Sequence, residues 1–124
     1  MYDRDVARDP DTCDLLCLDL PKAERVRAGL PDLEELERRA AAAKALGDPT
    51  RLTVAVALRA ESACVCDLGW IVGRDERLVS HHARALKAAG VARSRREGKM
   101  VIYELTEAGR ALVEAVVGVE ATAR

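Results

Sequence analysis

Cys64-Val65-Cys66-Asp67-Leu68-Gly69-Trp70-Ile71-Val72-Gly73-Arg74-Asp75-Glu76-Arg77-Leu78-Val79-Ser80-His81-His82-Ala83-Arg84-Ala85-Leu86-Lys87-Ala88-Ala89-Gly90 is the stretch whose reading decides the fold. Cys66 to Val72 has the length of a short helix, carries Leu68, Ile71 and Val72 for burial, and is closed by Gly73. Asp75 then stands at the cap position of a second helix, Glu76 to Ala89, closed by Gly90. Two short helices joined at a glycine-containing turn are the signature of a helix-turn-helix.

Downstream of Gly90 the periodicity changes from helical to alternating. Val91, Arg93 and Arg95 alternate with smaller residues, Glu97-Gly98 turns the chain, and Met100, Ile102 and Glu104 alternate with Val101, Tyr103 and Leu105. That pattern predicts a β-hairpin. Thr106 then caps a last helix, Glu107 to about Glu120, with Leu112, Val113, Val116 and Val117 apolar. Upstream, Gly47 ends one helix, Asp48 caps the next and Pro49 occupies its first turn. This helix runs to about Ala60, with Leu52, Ala55, Val56 and Leu58 for burial, and residues 61–65 form a link. Before it, Asp32 and Glu35 approximate a capping box after Pro31, and Leu33, Leu36, Ala40, Ala43 and Leu46 form a stripe at helical spacing. The run Ala40 to Ala43 allows close helix approach, which suits a dimer interface or ordinary core packing equally. The expected architecture is mainly α with a small β-hairpin, a winged helix-turn-helix.

The expected organisation is an N-terminal extension over 1–31, a domain over 32–120 and a tail over 121–124. Residues 1–12 hold Asp3, Asp5, Asp9 and Asp11 with little apolar content. Thr12 is placed to cap a short helix bearing Cys13 and Cys17 on one face, about 5–6 Å apart at Cβ. Lys22 to Ala28 reads as a further helical turn or two. Taken alone, Cys13 and Cys17 read as ligands or as two small buried apolar residues packed with Leu15, Leu16 and Leu18.

With 124 residues, 49% hydrophobic and only 2% aromatic, the core has to come from Leu, Val, Ile and Ala on closely packed helices. No apolar run approaches a membrane span, and Met1-Tyr2-Asp3-Arg4-Asp5 lacks the start of a secretory signal, so the expected location is cytoplasmic, with no membrane partner. Thiols stay reduced there, which disfavours a disulfide framework. The net charge is −1, but its distribution is uneven. Residues 74–99 carry Arg74, Arg77, Arg84, Lys87, Arg93, Arg95, Arg96 and Lys99 against Asp75, Glu76 and Glu97. A basic island of +5 in an otherwise acidic chain is the footprint of a polyanion-binding surface.

On a winged helix-turn-helix the second helix enters the major groove, so Arg77, Ser80 and His81 are the candidates for base contacts. Arg74, Arg84 and Lys87 are candidates for phosphate, and Arg95, Arg96 and Lys99 on the wing for backbone or minor-groove contact. Adjacent residues point to different helix faces, so His81 and His82 do not share an ion; His82, four residues from Leu78 and Leu86, reads as a partly buried packing residue, and Trp70 as packing.

Cys64 and Cys66 stand two residues apart, a spacing that does not align side chains within a helix. Both sulfurs reach one ion if Cys64 is extended just before the helix begins. A helix N-terminus favours thiolate there, with Asp67 opposing. Three or four thiolates select soft or borderline ions: Cd(II), Pb(II), Zn(II) or Bi(III).

As a set, Leu46-Gly47-Asp48-Pro49-Thr50-Arg51, Cys64-Val65-Cys66-Asp67-Leu68, Val79-Ser80-His81-His82, and Arg96-Glu97-Gly98-Lys99 with Tyr103-Glu104-Leu105-Thr106 resemble the ArsR/SmtB family of metal-responsive repressors. The resemblance spans about residues 33–120. Within the family the cadmium/lead-sensing CadC type is similar in having a Cys-x-x-x-Cys pair in an N-terminal extension, here Cys13 and Cys17. The resemblance implies a homodimer whose interface is made by the Asp32 helix and the last helix, the first and fifth of the domain. It implies binding to double-stranded operator DNA, an imperfect palindrome, by the apo-dimer, and release when Cys13 and Cys17 of one subunit and Cys64 and Cys66 of the other take up Cd(II) or Pb(II). Gly69 stands where arsenic-sensing members often carry a third cysteine. The last helix has no histidine, so the second metal site of zinc-sensing members is not expected there.

An arsenite-responsive or thiol-redox repressor on the same fold stays open as an alternative. A thiol oxidoreductase is the remote one, since Cys-x-Cys is not Cys-x-x-Cys and no βαβ pattern surrounds it. No catalytic Ser/His/Asp set or phosphate loop is present, so neither an enzyme nor a small-molecule substrate is expected.

Overall fold

The computed structural model describes residues 9–118. They fall into two units divided between Asp32 and Leu33. The first unit has turns at residues 10–12, no regular structure over 13–19, and one helix, α1 (Leu20–Ala28). The helix expected to start at Thr12 is therefore absent. The stronger start lies further on, where the Asp19 carboxylate accepts from the Lys22 N–H at 3.2 Å and Pro21 fits the first turn.

The second unit begins with α2 (Leu33–Ala45) and α3 (Pro49–Ala60). Between them Asp48 caps α3, its carboxylate accepting the Arg51 N–H at 3.0 Å, with Pro49 in the first turn as expected. Then come β1 (Ala63–Cys64), α4 (Val65–Val72), α5 (Glu76–Ala88), β2 (Ala92–Glu97), β3 (Met100–Leu105) and α6 (Glu107–Val117). The wing is larger than a hairpin. β1 pairs antiparallel with β3, Ala63 opposite Tyr103 and Cys64 opposite Ile102, so the sheet has three strands in the order β1-β3-β2. Two residues display no alternation, which is why the link at 61–65 shows no strand in sequence. The last helix ends at Val117, and Glu120 lies outside the described residues.

The turn between α4 and α5 rests on Gly73, whose φ of +74° is left-handed; its N–H and that of Arg74 both reach the Gly69 carbonyl. The core beneath is aliphatic. Val54 and Leu58 of α3, Leu68 of α4, Val79 and Leu86 of α5, and Val113 of α6 are all fully buried. The N-terminus of α6 is held against the chain at Val91: Thr106 donates to the Gly90 carbonyl at 2.8 Å and accepts the Gly109 N–H at 2.9 Å. A Cβ at Gly109 would overlap the Val91 carbonyl, so this approach requires glycine. Among the described residues, no helix is long and apolar enough to cross a membrane.

Candidate functional site

Helix α5 and the turn that leads into it present one basic face. Arg77 and His81 are exposed on α5, and Ser80 between them accepts from Arg84 Nη1 at 2.9 Å. Arg74 leaves the turn with its guanidinium near the Thr50 hydroxyl at 3.5 Å. Lys87 donates to Ser94 Oγ at 2.8 Å, tying the end of α5 to β2. α5 begins at Glu76 with no side-chain hydrogen bond from Asp75, so the expected cap at Asp75 is one of position only.

The wing is less freely cationic than its sequence implies. Arg93 donates to one oxygen of Glu104 at 2.6 Å; Arg95 donates to the other at 2.7 Å and to Glu97 at 2.8 Å. The Glu104 carboxyl is held below the usual range by these hydrogen bonds, from Arg93 first and then Arg95. Arg96 and Lys99 are exposed near the β2–β3 turn, where Gly98 has φ +63°.

His82 is only 6% exposed, and its Nδ1 accepts from Arg51 Nε at 3.2 Å. Burial first, then the Arg51 charge, push its pKa down, so the ring stays neutral. Trp70 is not packed within the protomer: it is 86% exposed beside a groove of about 340 Å³ that also has Ala60, Asp67 and Ile71 in its walls. Ile71 is itself exposed, because α4 turns only Leu68 and Gly69 fully inward.

All four cysteines carry free thiols. In the first unit the Cys13 and Cys17 sulfurs are hydrogen-bonded at 3.2 Å, and both residues are exposed rather than buried among Leu15, Leu16 and Leu18. The contact with Cys17 raises the Cys13 pKa. In the second unit Cys64 ends β1 in extended backbone, φ −81° and ψ 167°, directly before α4. This is the geometry that lets Cys64 and Cys66 approach one point. The expectation of a thiolate favoured by the helix end does not hold at Cys66. Its pKa is raised, chiefly by the hydrogen bond and negative charge of Glu76, then by burial and Cys64. Glu76 opens α5, and only the folding of the turn brings it to Cys66. Among the described residues, no group of three or more His, Cys, Asp or Glu is arranged to hold an ion. Each cysteine pair by itself offers two sulfurs.

Residues 48–94, from the cap of α3 into the first half of β2, match the family model described as bacterial regulatory protein, arsR family. A cadmium resistance transcriptional regulatory protein CadC homolog from Staphylococcus aureus is 36% identical over 98 residues, which cover 78% of this chain and 80% of that protein. A transcriptional repressor SmtB homolog from Synechocystis sp. is 33% identical over 95 residues, covering 77% of this chain and 72% of that one. The homodimeric winged helix-turn-helix DNA-binding domain of a possible ArsR-family regulator from Mycobacterium bovis superposes with a TM-score of 0.62 at 28% identity, over 75% of this chain and 88% of that chain. These matches are regulators, not enzymes, and they cover the basic face and the Cys64-Val65-Cys66 element together. The chain belongs to the arsR family of bacterial regulatory proteins.

Proposed function

We propose that this regulator is a cytoplasmic, metal-responsive repressor that holds operator DNA as a homodimer and releases it when Cys13, Cys17, Cys64 and Cys66 take up a soft ion. Cd(II) and Pb(II) are the inducers of first choice, with Zn(II) and Bi(III) of related chemistry. The observation that carries the reading is the presence of two free thiol pairs, one in each unit, each drawn together within itself, with only Cys64 of the four half-buried. Thiols are the donors that soft cations select, and two pairs complete a four-sulfur set that neither completes alone. The names of the CadC and SmtB homologs point the same way. The dimer reading is supported by Leu33 and Leu36 on α2 and Val116 on α6, apolar side chains left exposed in the protomer.

When bound, the ion substitutes two positive charges for four thiol protons, leaving the site more negative by two. Cys66 stands against Glu76, the first residue of α5, so any rearrangement at Cys66 reaches the DNA-reading helix through one contact. The added negative charge lies beside a helix that faces phosphates and weakens the counterion-driven part of DNA affinity. Emptying an operator from 99:1 to 1:99 takes about 5.5 kcal/mol of coupling, above the usual ~1–3 for one allosteric site, so both sites of the dimer contribute.

The test is operator release across metals for the parent chain and a Cys13→Ser/Cys17→Ser variant. Release by Cd(II) that is lost in the variant supports the reading; operator binding indifferent to Cd(II) and Pb(II) refutes it. A second reading, a thiol-redox switch, is favoured by one observation, the 3.2 Å contact between the exposed Cys13 and Cys17 sulfurs. It predicts a peroxide-driven disulfide and no near-ultraviolet thiolate-to-metal band on Cd(II) addition.

A further inference from the structure

The Cys64/Cys66 pair has a third sulfur beside it that the four-cysteine reading does not use. Cys64, Cys66, Lys99 and Met100 line one pocket of about 330 Å³ where the start of α4 meets the tip of the wing. The strand register explains why. Cys64 lies opposite Ile102, so Met100, two residues along β3, is on the same face as the partner of Cys64. Carried two steps further, the same register sets Cys66 opposite Met100. α4 lifts Cys66 out of the sheet there, yet leaves it in the wall of the same pocket. Met100 is 50% exposed and has no place in the core, unlike its neighbours Ile102 and Tyr103. Its side chain has three rotatable bonds and a polarizable thioether, which lets it swing toward the pair.

We propose that Met100 is the third soft donor of a local Cys64–Cys66–Met100 site that takes a monovalent ion, Cu(I) or Ag(I), within one protomer. This rests on the reading of Cys64 and Cys66 as ligands and extends the chemistry they accept. Thioether and thiolate sulfur together select Cu(I), whereas a neutral thioether adds little to a divalent ion that has four thiolates within reach. Cys64 and Cys66 each release one proton to solvent on binding and no electron is transferred, since the ion arrives as Cu(I). The ion and its two thiolates carry one net negative charge beside the Glu76 carboxylate, and the Lys99 ammonium in the pocket wall offsets it in part. Lys99 is also a candidate for backbone or minor-groove contact on the wing, so its recruitment to the pocket withdraws a cation from DNA.

The experiment is an anaerobic Cu(I) titration against bathocuproine disulfonate, using the full chain with Cys13→Ser and Cys17→Ser. One Cu(I) per protomer is expected to remain bound. Adding Met100→Leu, a substitution at a half-exposed position, is expected to weaken Cu(I) by about tenfold or more. In the otherwise unsubstituted chain, M100L is expected to leave the Cd(II) charge-transfer absorbance unchanged. An M100L effect on Cu(I) below about twofold overturns the role of Met100 while leaving the Cd(II) reading intact, and so does loss of Cu(I) from the Cys13/Cys17 variant. Retention of both Cu(I) and Cd(II) by Cys64→Ser/Cys66→Ser overturns the underlying reading as well.

Discussion

Arg51, in the first turn of α3, donates its Nε–H to Nδ1 of His82 on α5 at 3.2 Å. The contact joins the Gly47-Asp48-Pro49 helix boundary to the second helix of the helix-turn-helix, and it requires a neutral imidazole. Asp48 favours the protonated ring, but burial outweighs it, and Arg51, His81 and Arg74 add their opposition.

The sign of the resulting pH dependence follows. Above about pH 6.5 the ring is neutral in both folded and unfolded chains, and stability is complete. Below that value the unfolded chain takes a proton that the folded chain resists, so stability falls as pH drops from about 6.5 toward the lowered folded pKa. Urea midpoints at pH 7.5 and 5.5 measure this. The parent is expected to lose more stability over that interval than His82→Gln; equal losses would show that His82 is not the titrating group.

Gly109 is a second point where backbone geometry dictates the residue. Gly109→Ala places a Cβ into the Val91 carbonyl, and backbone atoms cannot step aside as a flexible side chain would. The start of α6 has to shift, and a loss of about 1–3 kcal/mol in chemical denaturation is expected. An unchanged midpoint would mean that α6 approaches Val91 less closely.

Arg59 fastens the end of α3 to α6. Its Nε and Nη2 both donate to one oxygen of Glu114, at 2.9 and 2.6 Å, with Arg59 10% exposed and Glu114 about one-third exposed (32%). The pair lies between a screened surface bridge and a buried one. A double-mutant cycle of Arg59→Ala and Glu114→Ala is expected to give a coupling of about 1–2 kcal/mol. A coupling near zero would reduce it to a surface contact.

On the wing, Glu104 engages both Arg93 and Arg95. Glu104→Gln removes the negative charge without changing the shape, leaving two guanidinium groups freer to meet phosphate. The plot of log affinity against log salt is expected to steepen by up to about 0.9 for each guanidinium recruited. An unchanged slope would place the wing off the DNA.

How much of this was legible in sequence depends on the range of the signal. The α2–α3 boundary is written locally in Gly47, Asp48 and Pro49, and the α4–α5 turn in Gly73, so both were readable. Thr12 misled because Cys13 and Cys17 have helical spacing, while the decisive cap, Asp19 with Pro21, lay seven residues later. β1 is too short to show a period. The environment of Cys66 was unreadable for a different reason: Glu76 is ten residues away in sequence and arrives only when the turn folds. Trp70 was expected to pack, but nothing in its spacing revealed that α4 turns it outward.

The central claim is that the cysteine pairs act as one soft-metal site linked to DNA release. The most direct measurement is a Cd(II) titration of the operator-bound chain that follows near-ultraviolet absorbance and fluorescence anisotropy of the DNA together. The account predicts a thiolate charge-transfer band saturating near one ion per subunit, with DNA release in step with it. Both signals are expected to be lost in Cys64→Ser/Cys66→Ser and sharply reduced in Cys13→Ser/Cys17→Ser. Release of DNA by Cd(II) with no such band, or a band that saturates while the DNA stays bound, would contradict it.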